Sequence, residues 1–294
     1  MENIPVLLLF IITLAANLTG GLVRTFYSKN ISSSMAGYHL FNAASSLCCG
    51  ITLLVLSGGN FSLSPYTVIM AVLFGIITAL QQITNSAALS IGPWSYTSVI
   101  ISMSTVITAL SGMLFFNEKI KATQITGIVL MVICLILSVK KEDGEKKKKS
   151  GRWLVVSIVS CICCGGIGIM QKVHQSSDYR NELTMFLIIA FLCSFVFSAI
   201  NLITVKREQL FDIKPKIGLL GIIFIAGGVG SALNNMINLY LSGVVESAVF
   251  FPVVNGGGLI LITSASLIFF KEKLTARQWT GLGAGIIATL LLCL

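Results

Sequence analysis

The sequence predicts an all-α integral membrane protein of ten transmembrane helices, arranged as two inverted five-helix repeats. Three observations predict it. Apolar runs of membrane-spanning length succeed one another along the chain, the charged residues gather in the breaks between them, and a block near the middle recurs near the C-terminal end.

Of 294 residues, 55% are hydrophobic and 11% charged, and the mean hydropathy is +0.92, far from the balance of a soluble domain. A helix needs roughly 20 apolar residues to cross about 30 Å of hydrocarbon, so ten spans use most of the chain. The runs fall at 4–23, 36–56, 66–89, 94–116, 122–139, 152–171, 183–204, 216–241, 244–269 and 276–294. Lipid offers no partner to backbone N–H and C=O groups, so such runs must be helices, and they do not alternate as barrel strands do. The first run follows Met1-Glu2-Asn3, which lacks the basic stretch of a signal peptide, and is expected to be a span.

Turns are expected at Ser57-Gly58-Gly59-Asn60 with Pro65, at Gly92-Pro93 and at Ser242-Gly243. Short connections make successive helices antiparallel neighbours. The charged stretch from Lys140 to Arg152 divides the chain into a first repeat at 1–139, a linker at 140–151 and a second repeat at 152–294. This stretch is expected to be a solvated linker that fixes topology, with binding of anionic lipid headgroups as the alternative.

Phe115-Phe116-Asn117-Glu118-Lys119 and Phe269-Phe270-Lys271-Glu272-Lys273 align at an offset of 154, and Ala122, Gln124, Thr126 and Gly127 recur as Ala276, Gln278, Thr280 and Gly281. Eight of the thirteen positions from Phe115 to Gly127 are identical, too many for coincidence. Upstream, Ala79-Leu80-Gln81-Gln82 with Asn85 matches Ala232-Leu233-Asn234-Asn235 with Asn238 at offset 153. An odd number of helices per repeat makes the second copy enter the membrane in the opposite sense, an arrangement suited to alternating access.

With these motifs the chain resembles the drug/metabolite transporter superfamily, in particular its EamA-like members. The resemblance covers nearly the whole chain and rests on the five-plus-five layout and on Glu118-Lys119 through Gln124 and Gly127, matched by Glu272-Lys273 through Gln278 and Gly281. It implies a monomeric or weakly associated basket of helices. Its cavity would be lined mainly by spans 1, 3, 4, 6, 8 and 9, and it would carry small metabolites. Glu118 and Glu272 resemble family marks at helix junctions, structural rather than solute-binding.

The expected function is secondary transport, without ATP, of a small polar metabolite such as an amino acid or a related compound. A lipid or lipid-linked-sugar flippase is the nearest alternative, and a membrane scaffold or sensor is the alternative from another class. No P-loop supports an ATP-driven pump, and no nucleophile, metal set or paired carboxylates at membrane depth support an enzyme. No cofactor and no metal are expected. The eight cysteines lie in apolar stretches and are expected to pack as small hydrophobes. The formal charge of +9 comes from basic residues between the runs, with no signature of nucleic-acid binding.

Charge also speaks to orientation in what is expected to be the cell (plasma) membrane. Sixteen basic residues, including Arg24, Lys29 and seven in the central stretch, fall on one side; Lys119, Lys121, Lys172 and Arg180 fall on the other. This bias places both termini outside. The resemblance implies the reverse, since related transporters are usually drawn with both termini in the cytoplasm.

Polar side chains at membrane depth mark either helix contacts or a solute path. Gln81, Gln82 and Asn85 share one face of span 3, and Asn234, Asn235 and Asn238 repeat that geometry in span 8. They are expected to flank a midplane site for a polar solute, with interhelical hydrogen bonding as the competing role. Asn17, Tyr96 and Asn255 join them, each on a span that the resemblance places around the cavity. Asn255-Gly256-Gly257-Gly258, following Pro252, is expected to permit close helix packing. Glu246, a carboxylate within an assigned span, is a candidate for proton coupling or simply for a helix N-terminus. Arg24, His39, Lys172 and His174 lie near span ends and are expected to snorkel to the interface, with a solute-anion site formed by Arg24 and Lys172 as the alternative.

Overall fold

The structure, a computed structural model, describes residues 5–59, 61–116, 121–123, 125–127, 129–130, 133, 145–204, 217–245, 247–271 and 275–293. Among these residues every regular element is a helix, and seven helical stretches, Trp94–Gly112 counted as one, are long and apolar enough to cross a membrane. Their outward faces carry Val55, Ile69, Ile203 and Ile222, each more than 60% exposed, a surface that lipid solvates and water does not.

Helix α1 (Val6–Asn30) turns into α2 (Met35–Leu56) at Ser34, whose hydroxyl accepts from Gly37 N at 3.1 Å. Ser64 caps α3 (Pro65–Ile91) in the same way, accepting from Thr67 N at 3.2 Å, with Pro65 in the first turn where its missing N–H costs nothing. Between α2 and α3, Gly58 and Gly59 adopt φ of +62° and +85°, the left-handed region that favours glycine.

The run expected as one fourth span is two helices, α4 (Trp94–Ser102) and α5 (Ser104–Phe116), meeting at Met103. Hydroxyls explain the break. Ser102, Thr108 and Ser111 each donate to a carbonyl three residues back, at 2.8, 3.0 and 2.7 Å, and such back-bonding bends helices. The fifth expected run, 122–139, lies mostly outside the described residues, as do Glu118 and Glu272.

The second half contains α6 (Glu145–Gln175), a 3-10 turn (Arg180–Glu182), α7 (Leu183–Thr204), α8 (Ile217–Val244), α9 (Ser247–Phe269) and α10 (Ala276–Cys293). Helix α6 starts inside the charged stretch read as a linker, where Glu and Lys are good helix formers. The turn expected at Ser242-Gly243 is also displaced, because α8 continues to Val244. Gly243 serves packing instead: a Cβ there would meet Gln175 Oε1 at 2.9 Å.

Helices from the two halves interleave. Helix α2 packs on α7 and α8, α3 on α6 and α7, and α1 on α8 and α9. Glycines allow the closest approaches, as is usual where lipid removes the hydrophobic drive for association. A Cβ on Gly75 of α3 would strike the Ala190 carbonyl and stand 2.9 Å from Cys193 of α7; a Cβ on Gly228 of α8 would strike Cys48 and stand 2.8 Å from the Ser45 carbonyl of α2. Buried polar groups join α2 to α7, with Asn42 Nδ2 donating to Ser198 Oγ at 2.6 Å and to Ser194 Oγ at 3.2 Å.

Candidate functional site

Where six segments of this bundle leave space, a cavity of about 250 Å³ remains, walled by α1, α3, the broken α4–α5 pair, α6, α8 and α9. On α1 the lining face is Asn17, Gly20, Gly21 and Arg24, a helical stripe in which the glycines leave room. On α3 it is Thr78, Gln81, Gln82 and Asn85; on α8 it is Gly230, Ser231, Asn234, Asn235 and Asn238. Both amide triads therefore face one cavity. Asn255 joins from α9, while Phe250, Phe251 and Val254 of the same helix supply an apolar wall.

Hydrogen bonds show how the amides are held. Gln82 Oε1 accepts from Arg24 Nη2 at 2.7 Å. Across the cavity the Thr13 hydroxyl is shared between Asn234 Oδ1 at 3.0 Å and Asn238 Oδ1 at 2.9 Å, and Asn238 Nδ2 donates to Asn234 Oδ1 at 3.2 Å. Gln81 Nε2 donates to Ser160 Oγ of α6 at 3.4 Å, and Asn255 Nδ2 to Thr105 Oγ1 of α5 at 2.6 Å. Asn235 Nδ2 turns to the Ser231 carbonyl of its own helix at 2.9 Å. Asn17 and Asn85 line the cavity and make no side-chain hydrogen bond among the described residues. Gln81, Gln82, Asn234, Asn238 and Asn255 thus bridge helices and line the cavity at once.

Tyr96 does not line it. Two residues from Ser98, it lies about 200° around α4, and it packs with Ala88, Ile100, Trp153 and Cys161. Glu246 lies outside the described residues. Pro252 and the three glycines after Asn255 leave α9 unbroken; Gly257 faces Leu14, and Gly258 faces Asn17 of α1.

Arg24 departs from expectation. Rather than snorkelling to an interface, it turns inward to Gln82 with its guanidinium carbon 5.7 Å from the Phe41 ring centre, and its buried Nε has no partner among the described residues. Lys172 does not share its site: it stands two residues before His174, which reaches Thr67 at the start of α3, whereas Arg24 meets α3 fifteen residues further on. Fifteen helical residues span about 22 Å. His39 and His174 are buried in helix packing.

Further lining residues that no motif marked are Ser98, Ser102, Ser104 and Thr108 from the broken helix and Gln171 from α6. The signal was present: Ser98, Ser102 and Thr105 are spaced i, i+4, i+7, one polar face in an apolar run. Cys164 also lines the cavity and accepts from Ser104 Oγ at 3.5 Å. Among the described residues no group of His, Cys, Asp and Glu has the makings of a metal site.

Residues 3–140 match the model of the EamA-like transporter family. The matched stretch includes Glu118-Lys119 and Gln124. No curated protein matches the chain in sequence. A solved structure described only as "Crystal structure of protein" superposes with a TM-score of 0.65 over 95% of each chain at 10% identity, a likeness of fold.

Proposed function

We propose that this EamA-like chain is a secondary transporter that moves a small polar metabolite, such as an amino acid or a related compound, across the cell membrane by alternating access. The observation that carries the reading is the single cavity, walled by both halves of the chain, into which the twin amide triads of α3 and α8 face. A polar solute entering a membrane loses its water, and amides that both donate and accept replace those hydrogen bonds. No catalytic residue and no cofactor belong to this reading.

Alternating access needs two similar halves of opposite sense, residues 1–139 and 152–294 around the charged stretch 140–151. The packing glycines support this. Gly75 and Gly228 stand 153 residues apart, the offset of the amide triads. Each presses on two positions three residues apart in the other half, Ala190 and Cys193 for Gly75, Ser45 and Cys48 for Gly228. In this scheme the break at Met103 gives the cavity wall a hinge, Glu246 is the candidate for proton coupling, and both termini lie outside by sixteen basic residues against four.

A metabolite-panel thermal-shift screen on the purified protein tests the reading, because a ligand that prefers the folded state raises apparent stability. Polar metabolites are expected to stabilise the wild type, and their effect to vanish in Gln81→Ala or Asn234→Ala. Hits that survive both substitutions return these residues to a purely structural role. Liposomes that move no metabolite but scramble labelled lipid would assign the cavity to a flippase.

A further inference from the structure

We infer that the solute held in this cavity is a small organic anion, a carboxylate whose charged group binds Arg24 and whose hydroxyl or carbonyl groups point toward Asn234. The inference rests on the transport reading and narrows it to one substrate class.

Charge is the first ground. Among the described lining residues Arg24 is the one ionised side chain, and no carboxylate accompanies it. A guanidinium does not give up its proton in a protein, so the cavity carries a fixed positive charge in a medium that penalises it. Gln82 supplies a neutral oxygen to Nη2 and nothing more. Among the described residues the buried Nε has no partner, and neither does Nη1. These N–H groups belong to the fork that grips a carboxylate in bidentate fashion.

The second ground is the placing of donors along the cavity. Arg24 and Thr13 are eleven residues apart on α1, about 16 Å of helix, and Thr13 marks the level of Asn234 and Asn238. There the Asn234 oxygen already accepts two hydrogen bonds, which leaves its Nδ2 donors facing the cavity without a partner among the described residues. A solute ammonium would share the space with a guanidinium that already holds the Gln82 oxygen, and would find the Asn234 oxygen accepting twice. A carboxylate with hydroxyl or carbonyl groups behind it meets donors at both levels.

The test is uptake by liposomes carrying the full-length protein, incubated with a uniformly 13C-labelled extract of small metabolites and read by mass spectrometry against empty liposomes. The expected result is enrichment of small monocarboxylates over neutral and cationic solutes by roughly tenfold or more, with Arg24→Gln lowering it roughly 30-fold. Gln82→Glu does the same by a different route, setting a carboxylate against the guanidinium in a side chain of the same size, and it decides the matter where Arg24→Gln fails to fold. Arg24→Lys keeps part of the uptake. Enrichment of neutral or cationic solutes, or anion uptake unchanged in a Gln82→Glu protein that melts like the wild type, overturns the anion inference and leaves transport standing. No enrichment by the wild type overturns the transport reading and this inference with it.

Discussion

On α3 the amide triad meets a cation, Gln82 accepting from Arg24 of α1; on α8 the equivalent triad meets a hydroxyl, Asn234 and Asn238 sharing Thr13 of that same helix. The two triads share their spacing but not all their side chains, since Gln81 and Gln82 of α3 stand where α8 has Asn234 and Asn235. Helix α1 passes both and offers each a different partner. The cavity is thus lined with amides at both levels, while α1 gives it a charged end and a neutral one.

Removing the difference should have the largest effect. Arg24→Thr makes both ends neutral and is expected to lower solute uptake by about 100-fold, close to 3 kcal/mol, in the range for losing one member of a buried charged pair. Measured as initial uptake rates in liposomes, a loss under threefold would mean that the two ends act alike. Asn234→Leu attacks the neutral end, depriving Thr13 and Asn238 of a partner. It is expected to cost about 1–2 kcal/mol, seen as a lower melting temperature of the detergent-solubilised protein. Gln82→Asn copies the α8 pattern onto α3 and withdraws the oxygen from Arg24 by one methylene. A severalfold rise in the half-saturating solute concentration is expected, with the melting temperature nearly unchanged. Thr13→Val is the mildest, about 0.6 kcal/mol by the average for interhelical hydrogen bonds in membranes, and it should leave uptake close to wild type.

Much of the fold was legible because hydropathy is a strong signal: α2, α3, α7 and α10 begin and end within two residues of their apolar runs. Two features escaped it. The break at Met103 arises from hydroxyls turning back on their own helix, which hardly alters the apolar count. Gly243 carries the same letter whether it turns the chain or lets Gln175 approach, and only the neighbouring helix decides. In the site, the amides could be found because they recur at a fixed offset. Tyr96 was misplaced because membership of a cavity-lining span says nothing about which side of the helix a residue occupies. Arg24 was read as an interfacial residue by its place near the end of a run, yet its phase already spoke otherwise: it stands seven residues after Asn17 and three after Gly21, on the face that lines the cavity.

The central claim is that the cavity between the halves is the solute path, and Asn17→Trp tests it most directly. Asn17 lines the cavity near the middle of α1 and makes no side-chain hydrogen bond among the described residues, so an indole there fills space without breaking a hydrogen bond between helices. With uptake by wild-type liposomes as the reference, the account predicts an Asn17→Trp protein that melts within a few degrees of the wild type and takes up no more solute than empty liposomes. A folded Asn17→Trp protein that transports at the wild-type rate would contradict it.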